Sequence, residues 1–148
     1  MGSEYKLSEY VAVVGVVDPD ANTAAEYLTA AIDMSKWESI LAIVMAGDLG
    51  TNATVDAAFK ASATSGGTYA AISGKAITQL TQAGTDKSNT QALIHLRAAE
   101  MPAGKPWVKL SMTVGTATSD SGAIVLGKAA HYLPSSDNDI AAVTEIVA

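Results

Sequence analysis

The sequence predicts an all-β protein, an antiparallel β-sandwich of jelly-roll type or a barrel, with short arms at both ends. Three observations carry this expectation. Apolar and polar residues alternate over residues 54–61, 91–97 and 107–114; clusters of Gly, Ser, Asp and Pro separate these short runs; and the prolines at 19, 102, 106 and 134 all fall in loops or at strand edges. A period of two puts successive side chains on opposite faces of a sheet, which a helix cannot do.

Taken in order, residues 10–17 (YVAVVGVV) form a β-branched apolar run that reads as a strand, and Asp18-Pro19-Asp20 reads as the turn that ends it. Residues 22–32 (NTAAEYLTAAI) fit either a short helix capped by Asn22 or Thr23, or an extended segment. Residues 37–46 (WESILAIVMA) are apolar on both alternating faces and read as a fully buried central strand bounded by Gly47-Asp48. Next, Val55, Ala57, Phe59 and Ala61 alternate with Thr54, Asp56, Ala58 and Lys60, a half-buried strand broken by Ser65-Gly66-Gly67. Tyr69, Ile72, Ile77 and Leu80 punctuate the stretch before a polar loop at 83–90. Two further strands follow: Ala92, Ile94 and Leu96 alternate with Gln91, Leu93, His95 and Arg97, and Val108, Leu110, Met112 and Val114 with Trp107, Lys109, Ser111 and Thr113. Residues 115–122 (GTATSDSG) read as a loop, residues 123–126 as extended chain, and the tail 134–148 as ending in a short helix or an added strand. Residues 1–10 are the N-terminal arm, and residues 1–148 show neither a linker nor a repeat, so one domain is expected.

Composition narrows the chemistry. There is no cysteine, which excludes disulfides, thiolate zinc sites and a cysteine nucleophile. Charged residues make up 16% of the chain, below the usual ~25%, and small residues fill much of the remainder. A surface so poor in charge points to surface spent in protein contacts. The net charge of -6 and the scattering of nine basic residues give nucleic acid no cationic patch. No run of eighteen apolar residues marks a membrane span, and the first residues lack the pattern of a secretory signal, so a soluble protein made in the cytosol is expected.

No motif supplies catalysis. His95 and His131 stand in strand contexts without a nucleophile or an orienting group beside them, and read as surface or interface residues. The glycine-rich stretch 66–76 ends in Gly74-Lys75, but Tyr69 and Ala76 occupy the places where a phosphate loop needs Gly and Ser or Thr. Asp18-Pro19-Asp20 and Asp137-Asn138-Asp139 lack the spaced ligands and closing glutamate of a calcium loop. No enzyme activity, cofactor or metal is expected.

Residues 72–81 (ISGKAITQLT), the strand 110–114 (LSMTV) with Thr116-Ala117-Thr118-Ser119, and His131-Tyr132-Leu133-Pro134 resemble small proteins encoded among the head genes of tailed bacteriophages, over about residues 33–147. The resemblance implies a virion structural role on the capsid surface, most directly a decoration or cement protein that clamps the major capsid protein, synthesised in the host bacterial cytoplasm. Head-completion and tail-associated roles are the neighbouring alternatives. A carbohydrate- or receptor-binding module using Trp107 and residues 115–122 is the rival from another class. The expected contact residues are Trp107 and Lys109 on one strand, His131 and Tyr132 at a strand end, and Ile140, Val143, Ile146 and Val147 in the tail. Small residues let backbones approach closely, so self-association is expected, with a trimer favoured.

Overall fold

The computed structural model describes residues 4–147. A short helix α1 (Leu7–Tyr10) leads into ten strands: β1 (Val11–Asn22), β2 (Ala25–Leu28), β3 (Ile32–Asp33), β4 (Trp37–Ala46), β5 (Thr54–Ser62), β6 (Ala70–Ala76), β7 (Leu80–Thr81), β8 (Thr90–Arg97), β9 (Trp107–Gly115) and β10 (Ser119–Ala129). All pairings are antiparallel, and one sheet runs β1-β10-β4-β8 while the other runs β2-β9-β5-β6. The short strands β3 and β7 add to β9 and β5 beside β2 and β6, respectively. Each such pair is one interrupted strand. Counted that way the described residues form eight strands, and the first pairs the eighth, the second the seventh, the third the sixth and the fourth the fifth. That nested pairing, folded over into two sheets, is the jelly roll.

The strands form where alternation allows one face to be buried. Val55, Ala57, Phe59 and Ala61 of β5 and Val108, Leu110, Met112 and Val114 of β9 point inward from one sheet. They meet Ile40, Ala42 and Val44 of β4, Ile94 and Leu96 of β8, and Val125 of β10 from the other. Phe59, Leu110, Leu96 and Val44 are all fully buried. At one end of this core the polar groups are paired: the Asn22 amide donates to the Ser121 carbonyl at 2.9 Å, and Ser119 Oγ accepts from the Gly50 amide at 3.1 Å.

Several sequence expectations change. Asp18-Pro19-Asp20 does not end β1. The strand continues to Asn22, and a bulge between Val17 and Asp20 absorbs one extra residue against β10. Pro19 is tolerated because β1 is an edge strand, where a missing N–H breaks no ladder bond. Of the two readings of residues 22–32 the extended one holds, as β2 and β3, divided by Thr29, whose amide donates to the Leu110 carbonyl and whose Oγ1 accepts from the Leu110 amide, both at 3.0 Å. Half of the expected loop 115–122 belongs to β10, since Ser119, Ser121 and Gly122 are buried and make good strand residues despite their polarity. The tail forms neither helix nor strand. After a cis peptide at Leu133-Pro134 it makes a 3-10 turn at Ser135–Asn138 and then lies along the free edge of β1. There the Val13 amide donates to Asp139 Oδ1 at 2.6 Å and the Ile140 amide donates to the Val13 carbonyl at 2.9 Å. Ser135, fully buried, donates from Oγ to the Tyr10 carbonyl and accepts from the Ala129 amide.

Trp37 packs flat against Gly127, where an added Cβ would lie 2.8 and 2.9 Å from its ring carbons and 3.1 Å from Val14 Cγ1. The Gly127→Ala variant is therefore expected to lose about 1–3 kcal/mol of stability, the usual cost of overpacking a filled core. Urea titration should show a lower midpoint with an unchanged slope.

Candidate functional site

The two outward faces of the sandwich differ in kind. On the β9-bearing sheet the outward side chains are mostly polar, Leu28 excepted, and tied to one another: Lys60 Nζ meets Glu26 Oε1 at 2.6 Å, Ser111 Oγ donates to the same oxygen at 2.6 Å, and Gln79 donates to Asp56 at 2.8 Å. The hydrogen bonds from Lys60 and then Ser111 hold the Glu26 carboxyl below its ordinary range. Lys109 stacks over the Tyr69 ring, 4.7 Å from its centre.

The outward face of the β10-bearing sheet is apolar. Register aligns Val13, Leu126 and Leu41 in one row across β1, β10 and β4. The next row is Val16, Ile124, Ile43 and Leu93, which adds β8. Met45 and Leu93 are 51% and 62% exposed, and the others are half-buried. Beyond these rows Pro19 folds over Gly122, where an added Cβ would meet Pro19 Cα at 2.9 Å. An open groove of about 610 Å3 lies there, bounded by Val16, Pro19, Met45 and Ile124. The sequence reading of 37–46 as buried on both faces is thus corrected. In this chain β4 buries Ile40, Ala42 and Val44 and leaves Leu41, Ile43 and Met45 on the outer side.

The expected contact residues fall into three places. Trp107 is half-buried at the start of β9 and shares a small cavity with Trp37 and Ile140. Lys109 lies on the polar sheet, engaged with Tyr69. His131 and Tyr132 sit edge to face, their ring centres 6.2 Å apart, in the exposed segment before the 3-10 turn, and Tyr132 is 81% exposed. In the tail, Ile140 and Val143 are half-buried, while Ile146 and Val147 are 46% and 86% exposed. Val143 and Ile146 stand with Ser8 around Val11, Val13 and Leu126, so the tail rests on one corner of the apolar face. The sequence reading missed the face itself. Its signal was present in the double apolar alternation of 37–46, because an antiparallel strand apolar on its outer side needs a cover that helices do not supply here.

His95 is exposed on β8, and its backbone carbonyl accepts from Lys75 Nζ at 3.0 Å. Gly74-Lys75 lies within the strand β6, not at a helix start. Among the described residues no three His, Cys, Asp or Glu side chains are grouped to hold a metal ion. Among these residues no helix is long and apolar enough to cross a membrane.

No family model matches this chain, and no curated protein matches it. Among solved structures, one described as the structure of infectious bursal disease virus Gx strain is similar over 85% of this chain, at 13% identity and a TM-score of 0.41. The matched region is 33% of that chain's length.

Lys75 and Arg97 converge on Glu100. The Arg97 amide donates to Glu100 Oε2 at 2.9 Å and Lys75 Nζ meets Oε1 at 3.0 Å, which together hold the carboxyl down from 4.5 to about 2. A carboxyl with a depressed folded value stabilises fully above its unfolded value and loses that contribution as pH falls toward the folded one. Thermal melts of the wild type should fall between pH 4.5 and about 2, and Glu100→Gln should flatten this dependence.

Proposed function

We propose that this chain is a virion structural protein of the decoration or cement type, a jelly roll that binds the shell of major capsid protein from outside and stabilises it without catalysing a reaction. The observation that carries this reading is the placement of exposed apolar side chains on the arms. Of the nine most exposed large apolar residues among those described, four are on the arms, Tyr5, Leu7, Ile146 and Val147, and two more, Tyr132 and Leu133, are in the segment that leads into the C-terminal arm. The short helix and the 3-10 turn touch each other at one edge of the sandwich, which gathers both arms on one side. Burying one such side chain contributes roughly 1.5–3 kcal/mol, so several together supply a clamp.

The sequence resemblance to tailed-bacteriophage head proteins favours the same reading, with the capsid surface as location and the host bacterial cytoplasm as the place of synthesis. Jelly rolls also serve as lectin domains, so fold alone does not decide. The carbohydrate-binding alternative would join Trp107 to residues 115–122. These lie at opposite ends of the nine-residue strand β9, about 25 Å apart at the usual rise per residue, and Trp107 is half-buried.

Shells assembled from the major capsid protein, sedimented with the purified chain, test the reading. The wild type should co-sediment, and Leu7→Ser combined with Tyr132→Ser should weaken binding about ten-fold while changing stability by no more than about 0.5 kcal/mol. Glycan-array binding with no shell binding would overturn the proposal in favour of the carbohydrate module.

A further inference from the structure

We propose that two copies of this chain pair through the apolar outward face of the β10-bearing sheet, about a two-fold axis crossing the strands at the Ile124 row. The inference goes beyond shell binding, which rests on the other exposed side chains of the arms, and assigns Ile146 to the pairing. An axis in that position lays each strand antiparallel over its own counterpart, so the pattern along one strand must complement its own reversal. The outward residues of β10 do so. They read Asp120, Gly122, Ile124, Leu126 and Lys128, and reversal about Ile124 sets Lys128 against Asp120, Leu126 against Gly122 and Ile124 against itself. On β4 the same operation sets Leu41 against Met45 and leaves Ile43 on the axis.

The relief of the face is complementary in the same sense. One half carries the groove of about 610 Å3 between Pro19 and Met45, and the other half carries the tail, with Val143 and Ile146 raised over Val13 and Leu126. Groove and tail both lie on the β1 side, at opposite ends of the strands. Reversal along the strands therefore brings each copy's Ile146 over the other's groove. The alternative two-fold axis, parallel to the strands, would lay β10 over β4 and bring Lys128 to Ser39, with no charge partner.

Charge and area agree. None of the ion pairs among the described residues uses Asp18, Asp20 or Asp120 at the groove end, whereas Lys128 and Arg97 stand at the tail end. Lys128 holds Glu38 at 3.1 Å, but both side chains are more than half exposed and the ammonium keeps donors to spare. Four strands about 4.8 Å apart, each about eight residues long at ~3.3 Å rise, give roughly 500 Å2 in projection. Two such faces together bury roughly 1,000 Å2, the threshold that a specific interface should reach. The other outward face, with its internal ion pair and hydrogen bonds, offers no comparable surface.

Sedimentation-velocity ultracentrifugation of the intact chain over a concentration series tests the pairing. The wild type should be a dimer. Ile124→Asp should raise the dimer dissociation constant roughly thirty-fold or more, as for a central interface residue. Asp120→Lys and Lys128→Asp should each raise it about ten-fold, and the double exchange Asp120→Lys with Lys128→Asp should restore it to near the wild-type value, an outcome that simple destabilisation would not produce. Thr113→Asp, on the polar sheet, should leave it unchanged. A wild-type monomer or trimer, or a double exchange no better than the single changes, overturns the pairing. A monomer that still coats shells would sink this inference and leave the decoration reading standing, and a dimer that ignores shells would do the reverse.

Discussion

The insertion of β10 between β1 and β4 is the constraint on which the rest of the structure depends. It joins the last long strand to the first and third, and so closes the nested pairing into two layers. The inward side chains of β10 are small for that reason: Ser119, Ser121, Ala123, Val125 and Gly127 leave room for the bulky layer opposite, where Phe59, Leu110 and Met112 are fully buried. Gly127 then makes space for Trp37, whose ring covers the end of the strand. Large side chains facing small ones across about 10 Å is how two sheets fill a common core without voids.

Much of this architecture was legible in the sequence because burial on one side of a strand writes itself as alternation. Residues 54–61, 91–97 and 107–114 became β5, β8 and β9 with the expected inner faces. The reading faltered where a local signal met a long-range partner. Asp18-Pro19-Asp20 has turn chemistry, yet pairing with β10 outweighs it and the excess residue becomes a bulge. Ser119 and Ser121 look like loop residues, yet their hydroxyls are satisfied by Gly50, Asn22 and the chain itself, so they can be buried in a strand. The apolar outer face was hidden by its own strength. A strand apolar on both sides reads as fully buried, and only the sheet order shows that none of the described residues covers Leu93 and Met45.

The low charge of the chain also takes on a definite meaning once placed on the fold. The polar sheet keeps Lys60 paired with Glu26 and Lys109 over the Tyr69 ring, whereas the other sheet carries aliphatic side chains outward on β1, β10 and β4 and adds Leu93 of β8. A free monomer gains nothing from that arrangement. Exposed pairs contribute about 0–1 kcal/mol each, and a bare apolar face leaves its burial energy unused. An assembly gains from both, because the polar face stays wet while the apolar one is covered.

Faces and arms are also the routes left open once the sheet edges are considered. An unpaired edge strand invites indiscriminate β-pairing, and here both edges of the β10-bearing sheet are blunted. On β1, Pro19 offers no N–H, two register shifts bend the strand, and Asp139 and Ile140 occupy the amide and carbonyl of Val13. On β8, Lys75 reaches from β6 to the His95 carbonyl and is itself anchored by Glu100, which caps the edge with a charge. Sheet extension from one copy to the next is thereby disfavoured at either side. The tail serves two ends in this arrangement, since the residues that seal the β1 edge also carry Val143 and Ile146 onto the apolar face. Edge protection and the relief of the apolar face follow from the same segment, and that coupling explains why a stretch without helix or strand is held in place by buried Ser135 at its root.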